Sequence, residues 1–457
     1  MRVAVLGAGP TGVMAAADLA AAGHDVAVLE AGPTVGGMAG SFEIAGQRVD
    51  YGSHRLHPAA HPDLLELIGR LLGDDLQERP RNGRIHLHDR WIRFPLRASD
   101  LLRRLPPRFA IGSAVDTLTR PLRSTPDDSF HGVIRAGLGP TVAQSFYGPY
   151  ARKLYGVEPD ELSSEVARRR VAASSPGAIV KRLTAAARGG QPTFLYPRNG
   201  YGAIVEALAE HATSQGATIM LNRPVDAITT TATGLAVDAG DSQVVAEHVI
   251  STIPLPSLVD AVPVATVPDI IQDAVTTLRV RGMILVYLVV PRTRYTEFDA
   301  HYLPSIEQRT GRLSEPKNYR DGPDPSDLTV LCAEIACWPD EDLWRWSDDE
   351  LGALVSQELR SVGLPDPTAV HVETRRLPSV YPVYERRTQA ARDALLDWSQ
   401  SLPGLTVTGR QGHAVFDNLH HVMSMGRAAA QAITPHGHDA SAWRRSVRSF
   451  DDHVVED

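Results

Sequence analysis

Val3-Ala-Val-Leu6, Gly7-Ala8-Gly9-Pro10-Thr11-Gly12 and Asp25-Val-Ala-Val-Leu-Glu30 decide the fold. The first run reads as a short buried strand, Thr11 to Ala22 as an alanine-rich helix, and the third run as the next strand. The glycines stand at the strand-to-helix turn. Gly7 permits the tight turn, Gly9 lets the backbone approach a pyrophosphate, and Gly12 lets helix and strand pack closely. The helix N-terminus offers amide hydrogens and partial positive charge to phosphates. Glu30 stands where a carboxylate accepts hydrogen bonds from a ribose diol, and its charge disfavours a 2′-phosphate.

Beyond Glu30, Gly36-Gly37-Met-Ala-Gly40 supplies a second close backbone approach. A flavin dinucleotide, whose pyrophosphate and ribityl chain run past such a loop, uses both. The expected cofactor is therefore FAD rather than NAD.

Composition bounds the rest. The 457 residues are 43% hydrophobic and 22% charged, ordinary for a globular chain of two or three domains. A net charge of −8 predicts no broad attraction to nucleic acid, so anion binding requires a local arginine cluster. Met283 to Val290 is far shorter than a membrane span, and the N-terminus lacks signal-peptide features, so no membrane span is expected. Cys332 and Cys337 exclude a disulfide framework, lack redox-pair spacing, and fit a reducing, cytoplasmic compartment.

Outward from the first unit, the texture alternates. Leu64–Leu72 has helical spacing, Arg84–Phe94 reads as a hairpin, and Asp100–Arg188 is mainly helical, broken at Pro106-Pro107 and Ser124-Thr-Pro126. Strand-like segments return at 217–221, 234–238, 248–253 and 283–290, with a turn-rich stretch up to Asp327. Helices are expected at 348–362 and 419–433, and a frayed tail beyond Pro435. The fold class is α/β: a Rossmann-like, doubly wound FAD-binding domain from residues 1–60, 194–262 and 400–435, interleaved with a mixed, mostly helical substrate domain from 61–193 and 263–399.

Further motifs carry a family resemblance. The first forty residues are similar to the flavin amine oxidase, protoporphyrinogen oxidase and UDP-galactopyranose mutase superfamily. Tyr51-Gly-Ser-His54-Arg-Leu-His57 resembles the mutase segment near the flavin ring. Pro149-Tyr150-Ala-Arg-Lys153-Leu-Tyr155-Gly156 resembles a "YTxKxWG" pattern, with Ala151 and Tyr155 for its Thr and Trp. Tyr196-Pro-Arg-Asn-Gly-Tyr-Gly202 is similar to "YPxGGxG", and Gly409-Arg410 to a late cofactor-touching pair. The resemblance implies that Gly7, Gly9, Gly12, Glu30, Gly36, Gly37, Gly409, Arg410 and Asn418 bind FAD. It also implies that Arg312, with Tyr319, Tyr381 and Tyr384, meets an anionic substrate. Phe416 and Ala414 replace tyrosines, and His420 replaces an Asp, which departs from the mutase pattern.

The catalytic group is left open, flavin N5 aside, with His54, His57 and His420 as candidates. A metal is not expected. His54, His57 and His61 lie in a Pro-bearing loop, and His86 and His88 lack a supporting ligand. Arg312 has a bland reading as a surface ion pair with Glu315. Arg103-Arg104 and Arg168-Arg169-Arg170 read by default as solvated helix faces, with the alternative that one arginine of the second run points into a substrate cleft. The expected activity is an FAD-dependent oxidoreductase acting on a small or sugar-like substrate by hydride transfer, the substrate being anionic if Arg312 meets it rather than pairing with Glu315. The alternatives are a redox-neutral, mutase-like enzyme using reduced FAD on a nucleotide sugar, and a non-catalytic FAD-binding module. A small molecule is the expected partner, and a homodimer is compatible with the sequence.

Overall fold

The computed structural model describes residues 1–96, 100, 103–123, 127–171 and 192–455. Strand β1 (Arg2–Leu6), helix α1 (Pro10–Ala21) and strand β2 (Asp25–Leu29) form where the apolar runs predict them. They anchor a five-stranded parallel sheet. Its order is Leu405–Val407, His248–Ser251, β1, β2, Thr218–Met220. Strands buried on both faces need layers on both sides. Val3, Val5, Val26 and Val28 point into a core with α1 and the helices Ala203–Ser214 and Leu419–Gln431. Ala4, Leu6, Ala27 and Leu29 point the other way, against a three-stranded meander and the helices Leu255–Ala261 and Gln389–Ser401.

The tight turn depends on two glycines. Gly7 has φ +98°, and a Cβ on Gly12 would lie 2.0 Å from the Gly7 carbonyl oxygen. On the far side of α1, Gly426 lets the helix Leu419–Gln431 lie against Thr11, 2.2 Å from where a Cβ would stand.

A second, seven-stranded sheet runs in the order His371–Pro382, Val280–Val290, Thr329–Cys337, Arg312–Ser314, Ala300–Tyr302, Gly83–Leu87, Arg90–Phe94. Alternation along Val280–Val290 sorts its side chains. Ile284, Val286 and Leu288 pack on the helix Asp348–Ser361 through Leu351, Val355 and Leu359. Met283, Leu285 and Tyr287 face the hairpin of Ser41–Ile44 and Gln47–Asp50.

Three expectations change. The mostly helical character holds for the short helices between Pro107 and Val171, but from 280 to 382 the chain is mainly sheet. Two of its short strands, Ala300–Tyr302 and Arg312–Ser314, lie in the stretch read as turns. The tail is not frayed: Ala440–Ser449 is helical, and Trp443, Phe450 and Val455 are buried. Residues 101–102, 124–126 and 172–188, which belong to the stretch read as helical and broken at Ser124-Thr-Pro126, lie outside the described residues.

Candidate active site

The turn after β1 opens on a cavity of about 470 Å³, within the size range of ligand pockets. Gly7, Gly9, Glu30 and Gly37 line one end. Gly9 has φ −74°, which any residue adopts, and a Cβ there meets no atom within 4 Å. The protein's own packing does not require glycine at this position; a side chain would occupy the cavity. No side chain caps α1, and no acidic residue stands in its first turn, so its positive end is left to the cavity.

Glu30 has a second task. Its oxygens accept the amides of Ala8 at 2.7 Å and Gly32 at 2.8 Å, tying the turn to the following loop. Each oxygen keeps a further lone pair. Gly12, Gly36 and Gly409 do not line the cavity. They lie behind it, packed against Gly7, Gly40 and Thr11 respectively.

Arg410 and Asn418 line the other side. Arg410 donates to the carbonyls of Phe416, Asp417 and Val380 at 3.0, 2.9 and 3.1 Å. Its buried Nε has no partner, and burial lowers its pKa. Asn418 caps the helix Leu419–Gln431 reciprocally with His421. The space before Gly9 and the unsatisfied Nε of Arg410 both fit an anionic dinucleotide.

The substrate-side predictions separate. Arg312 and Tyr381 reach the cavity, and both also line a small adjoining pocket with Arg170, Tyr302 and Lys153. Arg312 does not pair with Glu315. It donates through Nε and Nη2 to Glu334 at 2.9 and 2.8 Å, directly across the sheet. Glu315 instead accepts the amides of Tyr295 and Thr296 and the Thr329 hydroxyl. Glu334 also accepts the Ser53 amide at 2.7 Å. Tyr319 lies behind the lining, its hydroxyl 2.5 Å from Ser53 Oγ. The Tyr384 hydroxyl is taken by the Ala414 carbonyl at 2.6 Å, so it does not face the cavity.

Of the histidines, only His54 lines the cavity. It stacks on Tyr201 at 5.2 Å, and its buried Nδ1 has no partner. Burial, reinforced by Arg312 and Arg410, pushes its pKa down to about 3, so the ring is neutral. His57 lies outside, accepting the Ala59 amide, and His420 is buried against His421 at 4.0 Å between ring centroids. Among the described residues, one grouping has metal-ligand chemistry: Asp417, His421 and His453. Sequence reading missed it because His453 belongs to the tail. His453 and Asp417 bond one another at 2.6 Å, and His421 accepts the Asn418 amide through Nδ1.

The arginine run is resolved by its contacts. Arg168 bonds Ser164, and Arg169 pairs with Glu165 and Asp451. Arg170 reaches the cavity, 5.3 and 5.6 Å from the ring centres of Tyr381 and Phe416. Glu334 was missed, although a lone carboxylate in the apolar run Thr329–Cys337 is itself a signal. Lys153 was quoted only for its pattern. It donates to the carbonyls of Leu303 and Thr310, and burial pushes its pKa down to about 7.

A parallel α/β sheet with a glycine turn, an acidic strand end and an arginine whose buried Nε is unpartnered fits a dinucleotide-binding protein. The chain belongs to the family of flavin containing amine oxidoreductases, which it matches over residues 10–434. It is an FAD-dependent enzyme. Protoporphyrinogen oxidase of Macaca fascicularis is 24% identical over 336 residues, covering 66% of this chain and 66% of that protein. The fold is similar to reduced UDP-galactopyranose mutase, with TM-score 0.80 and 20% identity over 100% of both chains. Putrescine oxidase bound to putrescine gives TM-score 0.66 at 17% identity, covering 94% of this chain and 98% of that one. Among the described residues no helix is long and apolar enough to cross a membrane.

Proposed function

We propose that the enzyme oxidises a small, sugar-like, anionic substrate. When bound, FAD supplies the hydride acceptor, its N5. The observation that carries the reading is the shared wall of the two cavities, where Arg170, Arg312, Tyr302 and Tyr381 meet. Arg170 and the Nη1 of Arg312 attract an anionic group, and the tyrosine hydroxyls bond sugar hydroxyls. Gly7, Gly9, Glu30 and Gly37 hold the nucleotide end of FAD. Arg410, Asn418 and the N-terminus of the helix Leu419–Gln431 favour negative charge on the flavin. Gly12, Gly36 and Gly409 support this site from behind, and neutral His54 orients the substrate by hydrogen bonding. The domain scheme proposed with it is a doubly wound FAD domain of residues 1–60, 194–262 and 400–435 and a substrate domain of 61–193 and 263–399, with the helices Pro62–Leu72 and Gln389–Ser401 and the tail residues Trp443 and Phe450 packing on the FAD domain's cores.

A second reading, redox-neutral isomerisation of a nucleotide sugar, is favoured by Arg312 and Tyr381 lying on one wall. The two readings differ in flavin state. Anionic sugars and nucleotide sugars are assayed first with oxidised flavin in air, then with reduced flavin without oxygen. Net oxidation in the first arm supports the proposal. Isomerisation seen only in the second replaces it.

A further inference from the structure

We infer that the helix Pro107–Thr119 and its following turn, Arg120–Leu122, dock this enzyme onto an anionic lipid surface. Ile111, Val115, Leu118 and Leu122 are 65%, 51%, 80% and 85% exposed. The spacing of four and three residues places Ile111, Val115 and Leu118 in one row along the helix, and Leu122 follows in the 3-10 turn beyond its end. The opposite face is the seat. Gly112 sits against Thr141, and buried Asp116 accepts the Thr141 amide at 2.8 Å and pairs with Arg123 at 3.6 Å. The apolar row therefore points away from the protein, and a contiguous exposed row of this kind marks an interaction site.

Charge selects the occupant. Residues 100–123 carry five arginines against two aspartates in a chain of net charge −8. Both aspartates are already paired, Asp100 with Arg104 and Asp116 with Arg123. Arg103, Arg108 and Arg120 are exposed and make no ion pair among the described residues. In the chain Arg103 and Arg108 precede the row and Arg120 falls just before its last residue, and an arginine stem can lie along lipid while its guanidinium group meets phosphate. A second copy packed antiparallel would bring these arginine ends together, which disfavours self-association on this face. A short helix with an apolar row and cationic flanks lies in an interface rather than crossing it.

The flavin-loaded, full-length protein is centrifuged with phosphatidylglycerol–phosphatidylcholine vesicles and with phosphatidylcholine vesicles alone. It should sediment with the anionic vesicles, less so as salt is raised. Leu118→Glu with Leu122→Glu should weaken that binding by about tenfold or more, with flavin content and melting temperature unchanged. Arg103→Glu with Arg108→Glu should remove the preference for anionic lipid. Failure to sediment with anionic vesicles overturns the proposal, as does binding that survives the leucine substitutions. So does a wild-type dimer, measured by sedimentation equilibrium, that those substitutions turn into a vesicle-indifferent monomer.

Discussion

The two ends of the main cavity are built differently. At the Gly7 end the lining is backbone, supplied by two consecutive loops, with one carboxylate, Glu30, holding the loops together. At the Arg312 end the lining is side chains from separate strands and helices, and two of its arginines arrive already coupled, Arg312 to Glu334 and Arg55 to Asp299. A backbone cradle is specified by where side chains are missing. A side-chain pocket is specified by pairs that no short window of sequence contains. The first end is thus written locally and the second only by the fold.

Gly9→Val attacks the cradle and has the largest expected effect. A Cβ at this position meets no protein atom within 4 Å, so the apoprotein should keep its melting temperature yet purify without yellow colour. Gly12→Val is the contrast: its Cβ collides with the Gly7 carbonyl, so the fold itself should suffer. Full flavin occupancy in folded Gly9→Val would break the assignment of this end.

Glu334→Ala attacks the opposite end. It leaves Arg312 in a largely buried position without its carboxylate and frees the Ser53 amide. Breaking such a pair costs about 3 kcal/mol, the low end of the buried range because part of Arg312 is exposed. Urea denaturation should show that loss, and Arg312→Met with Glu334→Leu should recover most of it. Equal stability of Glu334→Ala and wild type would mean that the pair is solvated.

The same contrast explains what was legible in advance. β1, α1, β2 and the role of Gly7 follow from one window of thirty residues, because the apolar periods and the turn chemistry agree there. Arg312 and Tyr381 were found through resemblance, but Glu334 was not, since its partner lies 22 residues away and meets it only through strand pairing. The strand His371–Pro382 was hidden by its many polar residues, and the C-terminal helix by the general tendency of tails to fray. Tyr384 matched a pattern by spacing, yet the Ala414 carbonyl claims its hydroxyl. Chain order does not encode that competition.

Glu30→Ala should weaken FAD by about 1.5–3 kcal/mol if the carboxylate also bonds the ribose. Because it ties Ala8 to Gly32, the apoprotein should also lose some stability. Titrating apoprotein with FAD separates the two effects. A lowered melting temperature with unchanged affinity would leave Glu30 a purely structural tie.

The smallest effect per residue is the pH response, in which His54 is the group on the cavity wall. Burial pushes the imidazoles of His54, His248, His301 and His421 down to about 3. In the unfolded chain each titrates near 6.5. Between these values the unfolded state binds more protons than the folded one, so stability rises with pH across this window. The contribution is whole above pH 6.5 and shrinks as pH falls toward 3. One unit below 6.5 the loss is about 1.4 kcal/mol per imidazole. His54→Gln removes one of these groups from the cavity wall without touching the sheet histidines. Its melting temperature should therefore fall less steeply between pH 7 and pH 5.5 than that of the wild type. An identical slope would mean that His54 takes up its proton in the folded enzyme, and that the neutral ring assigned to the substrate end is charged.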